Sequence, residues 1–219
     1  MPTRVGVVLF PGSNCEQDAI EAVEGLGGEA RVLWHADASI GDADAVVVPG
    51  GFAHGDYLRP GAIARFSPVM DAVADFARDG GPVVGICNGF QVLTECGLLP
   101  GALQKNAGLK FVCTQVDLEV TSTRSVLTRG AAVGQKLRIP INHFEGNYTC
   151  DQRTADQLRD EDRIVVRYVD NPNGSVDGIA GISNSDGNVV GLMPHPERAC
   201  HPLLGSEDGK VLIGSLLAG

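Results

Sequence analysis

The stretch GICNGF (85–90) places Cys87 between an apolar run, PVVGI (82–86), and a helical pattern, NGFQVLTECG (88–97). A buried strand that turns sharply into a helix through Gly-x-Cys-x-Gly is the arrangement of a nucleophile elbow, with sulfur in place of a serine hydroxyl. Gly85 and Gly89 leave room for backbone to pass close to a strained turn. The helix beginning near Asn88 turns its positive end toward the sulfur, which favours a negative charge there. The Asn88 N–H would face an oxyanion forming on a substrate. Gln91, one turn further on, shares the face of Cys87 and could meet a polar substrate, whereas Cys96 points elsewhere. The competing reading is that Cys87 is a small core residue, the commoner fate of a free cysteine.

A thiol nucleophile needs a proton shuttle with a group that orients it. In VVGLMPHPERA (189–199), prolines bracket His195, and the residue before a proline is driven toward extended backbone. Extended chain would project His195 and Glu197 to the same side, at the C-terminal end of a strand, where open α/β sheets place their sites. His35, His54 and His201 lack a paired carboxylate, and His143, in INHFEGNY (141–148), could touch substrate from the end of another strand.

The loop GGFAHGDYLRPG (50–61) follows the strand pattern AVVVP (45–49). Adjacent glycines can turn successive N–H groups to one point, so Gly51 or Phe52 would supply a second oxyanion donor. Neither GxGxxG nor GxxxxGK[ST] occurs, so the chain shows no nucleotide fingerprint. The cysteines and histidines have no zinc-ligand spacing, and no metal is expected.

These residues must be held by an α/β framework. Residues 5–10, 30–34, 45–49 and 82–86 read as buried strands, alternating with helical patterns at 14–26, 62–81 and 88–97; Pro68 interrupts the second of these. Such alternation predicts a three-layer, flavodoxin-like and mostly parallel sheet with helices on both faces. The later half is richer in strands, at 109–120, 136–144, 163–169, 178–183 and 189–194, with helices near 154–160 and 209–218. No composition shift divides the chain, and one domain over residues 1–219 is expected. The balance of 17 basic against 27 acidic residues, net −10, disfavours nucleic acid and anionic membrane as partners. The six-residue apolar run near the N-terminus is too short for a signal-peptide core, which makes a cytoplasmic location the default. The six cysteines are expected to be reduced thiols.

In chain order, PGG, GICNGFQ and PHPE resemble the class I, triad-type glutamine amidotransferases. FPGSNCEQD, PGGFAHGDYLRPGAIARF, EGNY and NPNGSVDGIAG extend that likeness over nearly the whole chain, toward members serving de novo purine synthesis. The resemblance implies Cys87, His195 and Glu197 as a triad and the backbones of Gly51 and Asn88 as oxyanion donors. It also implies a glutamine pocket that includes Gln91 and the backbone around His143 and Phe144. The family usually has glycine where Phe144 stands; a side chain there disfavours positive φ and weighs against backbone contact with substrate. Cys15, within PGSNC, reads as structural or interfacial. The implied partners are L-glutamine, a large synthetase subunit carrying ATP and Mg, and a small bridging subunit; no cofactor is expected on this chain. A stand-alone cysteine hydrolase and a non-catalytic regulatory subunit are the alternatives.

Overall fold

The computed structural model describes residues 1–218. Its strands are β1 (Arg4–Leu9), β2 (Glu29–Trp34), β3 (Ala45–Val48), β4 (Val83–Ile86), β5 (Ala102–Gln104), β6 (Val112–Val120), β7 (Lys136–His143), β8 (Asn147–Thr149), β9 (Ile164–Tyr168), β10 (Ile179–Ser183) and β11 (Val189–Leu192). The α-helices are α1 (Glu16–Gly25), α2 (Pro68–Arg78), α3 (Asn88–Glu95), α4 (Gln152–Asp160) and α5 (Gly209–Leu217). Nine strands form one sheet in the order β2-β1-β3-β4-β11-β10-β9-β6-β7, parallel from β2 through β11 and antiparallel beyond.

Every residue of β3, β4 and β11 is buried. Strands covered on both faces have no need of alternation, which is why AVVV, VVGI and VVGL read as unbroken apolar runs. α3 packs on these three strands, and α1 lies against β1, β2 and α5. β4 sits between β3 and β11, so three parallel strands end side by side at one edge of the core, with Val48 opposite Gly85 and Leu192 opposite Ile86.

The pattern at 62–81 is interrupted at Pro68, as expected. A 3₁₀ turn spans Ala64–Phe66, Ser67 is extended at φ −69° and ψ 135°, and α2 begins at Pro68. Proline lacks the N–H that a continuing helix needs but fits the first helical position, so it starts α2. The short antiparallel ribbon of β5 and β8 was not anticipated; three-residue strands offer too little periodicity to detect.

Candidate active site

The elbow has the close packing that its glycines suggested. Cys87 adopts φ +50° and ψ −105°, a conformation rarely held by a residue with a side chain. A Cβ on Gly89 would lie 1.8 Å from the Val48 carbonyl oxygen, and one on Gly85 would lie 2.7 Å from the Gly89 carbonyl carbon. The Cys87 N–H donates to Leu192 O at 2.8 Å, extending the β4–β11 ladder to the cysteine itself. Its side chain is nearly buried, and the Sγ–H points to Asn142 O at a long 3.8 Å.

His195 and Glu197 are both buried, with Nδ1 and Oε1 2.5 Å apart. The pair is the expected one, but its geometry differs from extended chain. β11 ends at Leu192, and Glu197 lies in the 3₁₀ turn Pro196–Ala199, so the two are not successive same-side residues of extended chain. The turn folds the carboxylate back onto the ring. His195 Nε2 is buried and has no hydrogen-bond partner among the described residues, which leaves it for the reacting groups. Burial opposes a charged imidazole, but the Glu197 carboxylate and the nearby Cys87 sulfur outweigh it and push the His195 pKa up to about 10. The glycine before the donor loop is required as well, since a Cβ on Gly50 would lie 2.8 Å from His195 Cε1.

The structure distinguishes the two loop amides. The Phe52 N–H donates to Gly12 O at 3.2 Å and is occupied. Gly51, at φ +136°, has no acceptor for its N–H among the described residues. A Cβ there would come 2.8 Å from Asn14 N, so the position needs glycine. The Asn88 N–H, at the first position of α3, likewise has no acceptor.

Cys87, His195, Gly51, Phe52, Gln91 and His143 line one cavity of about 90 Å³. That is several times the roughly 10–15 Å³ that one water needs, and suits a small side chain better than a polymer. His35, His54 and His201 lie outside it. Gln91 is buried, donates to Glu145 O at 2.5 Å and accepts from Asn88 Nδ2 at 2.9 Å, so it braces the wall as well as facing the cavity. Burial, then the neighbouring His195, push the His143 pKa down to about 4; its Nδ1 meets Asn106 Oδ1 at 3.1 Å. A neutral, wall-forming ring is the result. Phe144 also lines the cavity, but its φ is not positive, and its carbonyl accepts from Asn106 N at 2.9 Å. The side chain therefore brings no backbone strain.

Asp56, Asn142, Glu145 and Arg198 are polar wall residues that were not picked out from the sequence. Each had a signal nearby: Arg198 follows PHPE, Glu145 opens EGNY, Asp56 lies within the loop after PGG, and Asn142 precedes His143. Cys15 also lines the cavity, and burial pushes its thiol up to about 12, so it serves as an inert wall residue beside Arg198 Nη2 at 3.1 Å. No group of three or more histidine, cysteine or acidic side chains among the described residues could hold a metal ion. None of the described helices is long and apolar enough to cross a membrane.

A strained cysteine at a strand–helix elbow, a buried His–Glu pair and two backbone amides without acceptors among the described residues are the parts that a cysteine-dependent acyl-transfer site of the amidotransferase type requires. The chain belongs to the CobB/CobQ-like glutamine amidotransferase domain family, whose model matches residues 2–209. It is 57% identical over 216 residues to the phosphoribosylformylglycinamidine synthase subunit PurQ of Rubrobacter xylanophilus, covering 99% of this chain and 98% of that one. It is 54% identical over 215 residues to the subunit of the same name from Parasynechococcus marenigrum, covering 98% and 99%. Among solved structures it superposes on a chain of PurLQS from Thermotoga maritima with a TM-score of 0.92 and 44% identity, covering 100% of this chain and 99% of that chain.

Proposed function

We propose that the chain, as one domain over residues 1–219, is the glutaminase subunit of a phosphoribosylformylglycinamidine synthase of de novo purine synthesis. The observation that carries this reading is the delivery of Cys87, His195 and Gly51 from the ends of three adjacent parallel strands into one small cavity. The relatives named PurQ support the substrate and pathway, and the PurLQS likeness supports assembly with a large synthetase subunit and a small bridging subunit. ATP and Mg belong to the synthetase subunit, and the cytoplasm is the compartment.

In this reading His195 Nε2 already holds the proton taken from Cys87, and the sulfur attacks the side-chain amide carbon of L-glutamine. The tetrahedral oxyanion is held by the Gly51 and Asn88 N–H groups. The imidazolium, held by Glu197 through Nδ1, protonates the departing nitrogen, and ammonia leaves behind a glutamyl thioester. Neutral His195 then takes a proton from water, whose oxygen attacks the thioester. Collapse releases glutamate and restores the Cys87–His195 pair. Ammonia free in neutral water becomes ammonium, which is not a nucleophile. It therefore passes directly to the synthetase subunit for ATP-dependent amination of formylglycinamide ribonucleotide.

The test is steady-state glutamate release by the chain alone and with the synthetase subunit and its ligands, for wild type, Cys87→Ala and Cys96→Ala. Low activity alone, a strong rise on assembly, and loss of glutamine-dependent but not ammonia-dependent synthesis in Cys87→Ala are expected. Persistent glutamine-dependent turnover in Cys87→Ala overturns the assignment. Full activity of the lone chain, unchanged by the partner, favours a stand-alone hydrolase.

A further inference from the structure

The two oxyanion donors belong to different bodies. Asn88 N–H is part of the elbow and α3, whereas Gly51 opens a loop braced on its far side by Pro11 and Gly12, through His54 N to Pro11 O at 2.6 Å and Phe52 N to Gly12 O at 3.2 Å. The loop is strained. Gly51, His54, Gly55, Asp56 and Gly61 all have positive φ, and two of these carry side chains that disfavour it. A hole that holds one oxygen atom needs both donors at a fixed separation, so something must tie loop to elbow.

The buried tie is the side chain of Asn88. Its Oδ1 accepts from the Ala53 N–H at 3.0 Å, two residues beyond the Gly51 donor. Its Nδ2 donates to Gln91 Oε1 at 2.9 Å and reaches the Asp56 carboxylate at 3.3 and 3.4 Å. The side chain is 2% exposed, so no water replaces these bonds if they are removed. A second tie lies on the same face of α3, where Arg59 meets Glu95 in a two-pronged ion pair at 2.6 Å, but it is at the surface and seven residues from Asn88. Exposed pairs of this kind hold geometry weakly.

We propose that the Asn88 side chain is a positioning residue, distinct from its own backbone donor, that sets the distance between the two oxyanion N–H groups by gripping the loop at Ala53. This rests on the reading of Gly51 and Asn88 as the oxyanion donors. Alanine at position 88 keeps the backbone N–H and releases the loop. An aspartate there still accepts from Ala53 but faces the Asp56 carboxylate, and Asp56→Asn in the same chain returns an N–H donor to that contact.

The test uses the full chain assembled with its synthetase subunit, and measures kcat and KM for glutamine beside the rate at which iodoacetamide alkylates Cys87, a displacement that needs no oxyanion hole. Losing one oxyanion donor typically costs about 10²–10³ in kcat, so a displaced donor in Asn88→Ala is expected to lower kcat by about 10- to 100-fold, with KM and alkylation within about 3-fold of wild type. Asn88→Asp is expected to be at least as impaired, and Asn88→Asp with Asp56→Asn to recover about tenfold of that loss. The proposal is overturned by an Asn88→Ala kcat within about 3-fold of wild type, by alkylation falling in step with kcat, or by the absence of recovery in the double variant. A wild-type assembly that releases no glutamate from glutamine overturns the glutaminase reading instead.

Discussion

Gly89→Ala is the sharpest probe of the elbow, because one methyl group separates what the helix prefers from what the site requires. Gly89 lies in the first turn of α3, where alanine is favoured over glycine by about 1 kcal/mol. The added Cβ, however, would lie 1.8 Å from Val48 O, where real contacts are never below 3.0 Å. The obstacle is backbone on both sides and no rotamer avoids it. α3 and the end of β3 must therefore part by about 1 Å or more, carrying Cys87 and the Asn88 N–H away from Gly51 and His195. A misplacement of that size costs about 10²-fold in rate. Overpacking of this kind costs about 1–3 kcal/mol, which outweighs the helix gain and lowers Tm by several degrees in a chain of this length.

The assay is kcat for glutamate release in the assembled enzyme, with ammonia-dependent synthesis as the control for assembly and a melting curve for stability. Gly214→Ala supplies the contrast. It sits within α5, a Cβ there meets nothing within 4 Å, and it should gain about 0.5–1 kcal/mol with kcat unchanged. A Gly89→Ala enzyme within about 3-fold of wild type and equally stable would refute the packing argument.

His195→Ala is expected to lose about 10²–10⁴-fold in kcat, whereas Glu197→Gln should retain measurable activity because it only orients the ring; a dead His143→Ala beside a near-normal His195→Ala would show that the wrong histidine has been chosen. Stability should depend on His143 at acid pH. Its folded pKa, about 4, lies below the ordinary 6.5, so the unfolded chain binds more protons between these values, and of order 3 kcal/mol is lost as pH falls from 6.5 to 4. Urea melts at both pH values, for wild type and His143→Gln, check this; an equal acid loss in the two proteins would exclude the ring as its source. His195, shifted the other way, contributes stability that is complete below pH 6.5 and is lost only as pH rises toward about 10, so it does not confound the acid arm.

The parts of the site legible in the sequence are those fixed by local backbone chemistry. Apolar runs with no alternation mark β3, β4 and β11, and Gly-x-Cys-x-Gly at a strand–helix junction marks an elbow that Gly89 makes sterically possible. The His195–Glu197 pair was found through residue type and proximity, while its 3₁₀ geometry was not, because a proline on each side of His195 permits more than one path. The residues alone leave Phe52 and Gly51 unseparated and only the resemblance selects Gly51; the Gly12 carbonyl, some 40 residues away, occupies the Phe52 amide. Asp56 and Glu145 lie inside quoted stretches, but which residue of each stretch reaches the cavity depends on loop geometry that the spacing does not encode. The Asn88 side chain escaped notice because its partners at 53 and 56 are long-range contacts that no spacing rule encodes.

In the proposed mechanism the nucleophile and the base are held in a different way from the Gly51 donor, and this decides where control can act. Cys87 continues β4, its N–H bonded to Leu192 O, and His195 lies three residues beyond the end of that neighbouring strand, its own N–H bonded to Pro140 O at 2.8 Å. Strands buried on both faces are among the least yielding parts of a fold, so the sulfur–imidazole geometry has little freedom to respond to a partner. The Gly51 loop is different: it is strained, and its apex residues Tyr57 and Leu58 are 86% and 78% exposed. A partner that favours one loop conformation over another can switch the second donor without disturbing the dyad. Taking that loop from 1:99 to 99:1 requires about 5.5 kcal/mol of differential binding, within reach of a protein interface. Dependence of glutamine hydrolysis on assembly therefore calls for no rearrangement of Cys87, His195 or Glu197, and a loop that can move while its catalytic pair stays fixed is sufficient.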